Sequence, residues 1–155
     1  MSGTLESHYG SEGIVDRIVD ALDQAGTDAS SLTPDSFAGA DEFHIGGRKG
    51  SELLANLLNI EEGSRIIDLG CGIGGPARFL ARTKGIHVTG IDLTPEFVEA
   101  ASALTQLVGM SDEVDFHEGS ATNIPFGDDS FDAATMIHVG MNIADKALMM
   151  SEMAR

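Results

Sequence analysis

Hydrophobic residues recur along this chain with two different spacings, one in each half. Residues 13–25 carry apolar side chains three and four positions apart, the period of an amphipathic helix. A helix start at Thr33-Pro34 follows, and residues 51–58 form a second helical pattern after the breaker Gly46-Gly47. These features predict a helical cap over residues 1–63.

From Arg65 onward, short apolar strands alternate with helical patterns. The predicted strands and helices follow one another along the chain: strands 65–69, 87–92, 114–118 and 131–137, helices 74–84 and 95–108, and a last helix that begins near Asn142 as its N-cap. This alternation predicts an α/β domain over residues 64–155, with a mostly parallel sheet of about four strands. In such sheets a ligand binds at the carboxyl ends of the strands.

The segment RIIDLGCGIGG, residues 65–75, runs from a strand through a glycine-rich turn into a helix. Such a turn lets bare backbone approach a ligand and directs the unpaired N–H groups of the helix start at an anionic group. Two templates fit this one run. Gly70, Gly72 and Gly75 match the G-x-G-x-x-G of dinucleotide sites, whereas Asp68 and the alternate glycines match the D-x-G-x-G-x-G of S-adenosylmethionine sites.

Two aspartates are candidates for cofactor contacts near this turn. Asp92 ends the second predicted strand about 20 residues later, where an acidic residue accepts hydrogen bonds from a ribose. The alternative role is a helix cap, but Thr94 is available for that role and leaves Asp92 for the ribose. Asp68 disfavours a pyrophosphate and favours the ammonium group of a methionyl tail. Its alternative role is a hydrogen bond to the backbone of the turn.

Composition narrows the possible partners. The 155 residues include 25 acidic against 9 basic side chains, a net charge of −16, which disfavours nucleic acid and anionic membranes as partners. The balance also suits a high-salt interior, where ions screen the self-repulsion. No apolar run reaches membrane length, no secretory signal is visible and the single cysteine excludes an internal disulfide, so we predict a cytoplasmic protein. The histidines lack metal-ligand spacing, and no metal is expected.

The decisive segment is EGSATNIPFGDDSFDAATMIHVGMN, with Gly119-Ser120-Ala121, Ile124-Pro125-Phe126 and Asp129-Ser130-Phe131-Asp132 in order. With the glycine turn and GIDLTPEF, residues 65–142 resemble the class I S-adenosylmethionine-dependent methyltransferases. The segments DEFHIGGR and HVGMNIADK resemble most the sarcosine/dimethylglycine-type N-methyltransferases and their ubiquinone- and tocopherol-type relatives.

The resemblance implies a Rossmann-like fold, S-adenosylmethionine as cofactor, and a role for each matching residue. Asp68, Gly70 and Gly72 would hold the methionyl end, with Cys71 as a small residue of the turn. Asp92 would bind the ribose hydroxyls. Leu93 would lie against the adenine, and Ser120 and Ala121 would meet its amino edge. Many members have Asp where this chain has Ser120, so that contact loses its charge.

The family places the reacting methyl group and its acceptor after the fourth strand, where His138 stands. His138 is the candidate catalytic residue, contacting the cofactor or orienting an acceptor amine; the alternative is a histidine satisfied by backbone groups. His44 is interpreted as a structural residue of the cap, with a place over the cofactor as the alternative. The implied function is methyl transfer to a small-molecule acceptor, an amine such as sarcosine or dimethylglycine.

Two other functions stay open on the sequence. The literal G-x-G-x-x-G with Asp92 fits a nicotinamide-dependent oxidoreductase, and a cofactor-binding fragment without activity is the third possibility. Four strands make an incomplete open sheet, and an exposed apolar edge strand promotes aggregation. We therefore expect a further C-terminal segment, or a second copy in a homo-oligomer, to cover the edge of the fourth strand.

Overall fold

The structure, a computed structural model, describes residues 13–155; the first part of the predicted cap, residues 1–12, lies outside the described residues. The N-terminal helices are α1 (Ile14–Gln24), α2 (Ala38–Asp41) and α3 (Gly47–Leu57), with 3-10 helices at Ala29–Ser31 and Pro34–Phe37. The helix start predicted at Thr33-Pro34 is the start of the second 3-10 helix, with Thr33 as its N-cap.

A four-stranded sheet with its helices follows. Its elements alternate along the chain: β1 (Arg65–Leu69), α4 (Gly75–Lys84), β2 (His87–Asp92), α5 (Pro95–Leu107), β3 (Val114–Glu118), β4 (Ala133–Thr135), a 3-10 helix (Gly140–Asn142) and α6 (Lys146–Ala154). The strand order is β3-β2-β1-β4, and each pair is parallel. This architecture confirms the predicted α/β fold class. Among the described residues, every helix is too short or too polar to cross a bilayer.

The sheet register brings two distant aspartates to one edge. Asp68 of β1 pairs with Gly90 of β2, and Leu69 pairs with Ile91. The strands are parallel and central in the sheet, so the glycine turn after β1 and the end of β2 at Asp92 lie side by side. The apolar residues that the two strands direct into the core are almost fully buried: Ile66, Ile67, Leu69, Val88 and Ile91.

Three predicted boundaries are wrong. The fourth strand spans Ala133–Thr135 and not residues 131–137, because it pairs only with β1 and leaves the sheet where β1 ends. The last helix begins at Lys146, and its N-cap is Asp145, whose Oδ1 accepts from Leu148 N at 2.9 Å. Helix α3 begins at Gly47, since Gly46 precedes it in a left-handed conformation and does not break it.

The cap is joined to the sheet domain through Arg78, a fully buried residue of α4. Its Nη2 lies 2.8 Å from Asp41 Oδ2 at the end of α2 and donates to Ile73 O, also at 2.8 Å. Its Nη1 donates to Ala101 O at 3.2 Å and to Thr105 Oγ1 at 2.9 Å on α5. One side chain therefore connects the cap, the glycine turn and two helices.

The contact between cap and α4 is close enough to require a glycine. A Cβ placed on Gly75 would lie 2.3 Å from Asp41 O. Burial raises the pKa of the Asp41 carboxyl, although the hydrogen bond from Arg78 opposes the shift. Burial likewise lowers the pKa of the Arg78 guanidinium, and Asp41 opposes that shift. Each charge is tolerated inside the protein only because the other is present.

We expect Arg78→Met to lower the free energy of unfolding by about 3–5 kcal/mol, since it leaves a buried carboxylate without its partner. The double variant Asp41→Leu/Arg78→Met should lose less than this single variant. Urea unfolding followed by circular dichroism measures both. Arg82→Met is the matched control on the same helix, because Arg82 pairs with Asp35 on the surface. Equal losses for Arg78→Met and Arg82→Met would contradict the assignment.

Candidate cofactor-binding site

The glycine turn after β1 is held to the end of β2 by its own backbone. Gly70 N and Cys71 N both donate to Ile91 O, at 2.8 and 3.1 Å. Gly74 N donates to Cys71 O at 3.0 Å and closes the turn. Gly70 and Gly72 have φ angles of +73° and +54°, a region that residues with a Cβ rarely adopt.

These two glycines are needed for different reasons. A Cβ on Gly70 would lie 2.3 Å from Val139 Cγ2, because the segment after β4 packs directly on the turn. A Cβ on Gly72 would meet no protein atom within 4 Å. The space beside Gly72 is therefore open to a ligand, whereas the space beside Gly70 is filled by the protein.

Asp92 holds the glycine turn with one carboxylate oxygen and the start of α5 with the other. Oδ2 accepts from Gly72 N at 3.0 Å, and Oδ1 accepts from Thr94 N at 3.0 Å. Thr94 is the N-cap residue of α5, as predicted, but its side chain makes no capping bond, and Asp92 is not left free, since it accepts from two backbone N–H groups. Each carboxylate oxygen accepts more than one hydrogen bond, so Asp92 keeps capacity for a ribose hydroxyl.

Asp68 lies behind the turn and is 3% exposed. Its Oδ1 accepts from Thr135 Oγ1 on β4 at 2.7 Å, and not from the backbone of the turn as the alternative proposed. Burial raises the pKa of this carboxyl from its ordinary value of 3.8 to about 6, against the hydrogen bond from Thr135 and the charge of His44. A cationic group nearby would reverse that shift and stabilise the carboxylate.

A cleft of about 560 Å³ opens at this edge of the sheet. It is lined by five of the predicted site residues: Gly70, Asp92, Leu93, Ser120 and Ala121. Leu93 is 70% exposed and offers an apolar wall. The Ser120 hydroxyl oxygen accepts from Thr122 N at 3.2 Å, so it is already engaged within its own loop.

The other predicted residues do not line this cleft. Cys71 is buried, and burial raises the pKa of its thiol well above the ordinary value, which disfavours a nucleophilic role. Gly72 lies next to the cleft, because its N–H donates to Asp92, which lines the cleft. His138 follows β4 with a φ of +57°, and its ring lies 6.0 Å from the ring of His44 in the cap.

Several residues that build this site were missed by sequence reasoning. Thr135 fixes Asp68, Val139 packs on Gly70, and residues 142–145 form the far wall of the cleft. Arg78 holds Ile73 of the turn from behind. Its one signal in the sequence is its place among the apolar residues Pro76, Ala77, Phe79 and Leu80, where a charged side chain needs a buried partner.

A strand–glycine turn–helix unit, an acidic residue after the next strand and a cleft between them define an α/β domain that binds a nucleotide-type cofactor. A family model described as a methyltransferase domain matches residues 67–155. The chain therefore belongs to the methyltransferase domain family. This membership decides between the two templates for the glycine turn in favour of S-adenosylmethionine.

Solved structures share the fold. An S-adenosylmethionine-dependent methyltransferase from Thiobacillus denitrificans, in complex with S-adenosyl-L-homocysteine, is 29% identical with a TM-score of 0.63; the match covers 75% of this chain and 47% of that one. A protein from Galdieria sulphuraria, described as a candidate sarcosine dimethylglycine methyltransferase, is 25% identical with a TM-score of 0.67; the match covers 89% of this chain and 53% of that one.

A curated relative agrees in class. The methyltransferase phqN of Penicillium fellutanum is 44% identical over 102 residues, which are 66% of this chain and 31% of that protein. The chain thus spans about a third of the length of this relative, and the activity of the whole protein is a matter for proposal.

We expect Gly72→Ala to weaken binding of S-adenosylhomocysteine. It should lower the free energy of unfolding by only about 1–2 kcal/mol, the cost of placing alanine in a left-handed conformation. Gly109→Ala is the matched control, since Gly109 has a φ of +67° and equally open surroundings but lies at the end of α5. Thermal unfolding should place the two variants close together, and calorimetric titration should separate them. Equal affinity in both would contradict the assignment of Gly72.

We expect protonation of Asp68 to be linked to stability. The folded chain binds a proton to this carboxyl below about pH 6, whereas the unfolded chain does so only near 3.8. The folded state therefore bears the cost of a buried charge above pH 6 and is relieved of it as the pH falls through this window. When the pH is lowered from about 7.5 to 5, the free energy of unfolding should rise in the parent chain. This rise should be smaller in Asp68→Asn, which has no carboxyl to protonate. Parallel pH profiles of urea unfolding for the two chains would contradict this.

Proposed function

We propose that this chain binds S-adenosylmethionine in the cleft beside Asp92 and supports methyl transfer to a small-molecule acceptor, an amine such as sarcosine or dimethylglycine. The observation that carries the proposal is the glycine turn, which is fixed by Asp92 and Ile91 yet open beside Gly72. Family membership supports the cofactor, and the structural similarity to the Galdieria protein supports the acceptor class.

The residues present fit the cofactor at each of its parts. A buried carboxylate at Asp68 suits an ammonium group, and Asp92 suits ribose hydroxyls. The exposed face of Leu93 suits an adenine ring, whose amino edge would meet the loop at Ser120 and Ala121. Because the Ser120 hydroxyl is engaged by Thr122, backbone groups of this loop would carry part of that contact.

When bound, the cofactor would supply an electrophilic methyl group on a sulfonium sulfur, which keeps the pair of the broken S–CH3 bond and departs as a neutral thioether. The task of the protein is to align donor and acceptor and to exclude water, which contributes on the order of 7–11 kcal/mol in well-oriented pairs. An amine that arrives unprotonated needs no base. His138, which follows β4 and whose ring lies 6.0 Å from that of His44, would orient the acceptor.

The net charge of −16 disfavours a polyanionic acceptor such as a phosphate backbone. We therefore propose a small molecule, and neither a nucleic acid nor an anionic membrane, as the partner of this site. A dinucleotide would draw on the same glycines and on Asp92, so NAD is the comparison ligand for the cofactor of this chain.

Calorimetric titration of the purified chain with S-adenosylhomocysteine and, separately, with NAD tests the proposal. We expect the first to bind and the second not to bind. Asp92→Asn should weaken binding at least about tenfold, because it removes the charge from the hydrogen bond that holds Gly72 of the turn and from those expected with the ribose. His87→Gln, at the exposed start of β2, is the control and should bind normally.

Binding of NAD alone would overturn the proposal. Binding of neither ligand to a chain shown to be folded by circular dichroism would also overturn it for this chain. Where S-adenosylhomocysteine binds, a screen of sarcosine, dimethylglycine and related amines with S-adenosylmethionine tests the acceptor class. Turnover confined to acceptors without an amine would contradict that part.

A further inference from the structure

His138 is held in a backbone conformation that it does not adopt freely. Its φ of +57° places a residue with a Cβ in the left-handed region, which is unfavourable for such a residue. Within residues 13–155, Asp129 is the only other residue besides glycine with a positive φ. Surrounding contacts must therefore fix His138: the next residue, Val139, packs on Gly70, and His138 itself contacts the cap.

One of these contacts defines the protonation of the ring. The backbone N–H of Ile45 donates to His138 Nδ1 across 3.4 Å, between residues 93 positions apart. A backbone N–H can only donate, so Nδ1 must carry the lone pair. In the neutral ring the proton then lies on Nε2, and His138 presents an N–H donor with its other nitrogen.

Ile45 is itself held by a buried polar cluster that the proposed mechanism does not use. His44 Nε2 lies 2.8 Å from Glu42 Oε2, and Ser51 Oγ donates to the same oxygen at 2.6 Å. The side chains of His44 and Glu42 are 7% and 2% exposed. Buried polar groups of this kind fix one arrangement of the chain when they are paired.

The His44 ring is also enclosed by packing against helix α3. A Cβ on Gly50 would lie 3.1 Å from His44 Cε1 and 3.4 Å from Ile45 O, so helix α3 lies directly against this segment. The side chain of His44 is only 7% exposed, while its neighbours Phe43 and Ile45 are 85% and 83% exposed. The buried His44 ring therefore anchors residues 43–45 to the rest of the cap.

We propose that His44 is a positioning residue: anchored by Glu42 and Ser51, it holds the Ile45 amide in place, and that amide fixes His138 as an Nε2–H donor beside the methyl-transfer site. The proposal rests on the proposed function for its role in turnover. His44 acts through Ile45, because its own ring nitrogens face Glu42, Ser51 and Ile45 O.

The consequence concerns the chemistry of the acceptor. An amine attacks the methyl group with its lone pair, and an N–H donor aimed at that lone pair would block the attack. His138 in this tautomer would therefore hold an oxygen atom of the acceptor and take no proton from its nitrogen. The amine would have to arrive as the free base.

Nuclear magnetic resonance tests the proposal without turnover. Two-bond ¹H–¹⁵N correlation of the chain labelled with ¹⁵N-histidine, at about pH 8 where exposed imidazoles are neutral, reports which nitrogen carries the proton. We expect the Nε2–H form for His138 in the parent chain and a mixture of both tautomers in His44→Gln. The Nδ1–H form in the parent chain would overturn the proposal, as would an unchanged His138 signal in His44→Gln.

A second variant covers the case in which His44→Gln does not fold. Gly50→Ala displaces the His44 ring by a few tenths of an ångström and leaves its chemistry intact. It should shift the His138 signal, whereas His87→Gln, which also removes one signal for assignment, should not. Identical His138 signals in Gly50→Ala and the parent chain would count against the proposal.

Kinetics then separate positioning from stability. For an accepted amine, His44→Gln should lower kcat about tenfold or more, because misplaced groups lose orientation, while affinity for S-adenosylhomocysteine changes less than about threefold. Equal losses of cofactor affinity and turnover would indicate a merely structural role. Failure of cofactor binding in the parent chain would overturn the proposed function and leave the tautomer result to decide this inference.

Discussion

The buried guanidinium of Arg78 is the interaction on which the arrangement of this protein depends. It binds Asp41 of the cap, Ile73 of the glycine turn, and Ala101 and Thr105 of α5. Hydrophobic contacts alone do not specify how the cap is oriented on the sheet domain. Four hydrogen bonds from one planar group do specify this orientation. Removing Arg78 would leave several buried acceptors unpaired at once, so the cap, the turn and the helix are specified together.

In the cofactor site, too, one side chain holds more than one segment in place. Asp92 is expected to bind a ribose, yet in the folded chain its oxygens already hold Gly72 N and Thr94 N. The turn is thus ordered before any ligand arrives, and the entropy of ordering it is lost on folding and not on binding. Asp68 shows the opposite situation, since its burial is unfavourable until a cation is near. The site combines a preformed frame with one group that a cationic ligand would stabilise.

The sequence predicted the parts of the site that depend on local patterns. The strand, the glycine turn and the aspartate after β2 are fixed by short-range rules, and the parallel register then follows. The roles of Thr135, Arg78 and Asp145 were not predictable in this way, because each depends on a partner chosen by the tertiary fold or on the choice between two adjacent caps. Asn142 and Asp145 are both good N-caps, and only packing of the loop after β4 decides that Asp145 caps α6.

The two sides of the site therefore differ in how far a sequence can define them. The cofactor side is built from consecutive residues after β1 and β2, so its chemistry is visible as a motif. The proposed acceptor side depends on the contact of His138 with Ile45, 93 residues away, and this contact exists only once the cap has docked. Since Arg78 and Asp41 dock the cap, the buried ion pair that stabilises the fold also determines where His138 stands. Substitutions in the cap, far from the glycine motif, should for this reason change the choice of acceptor more readily than the choice of cofactor.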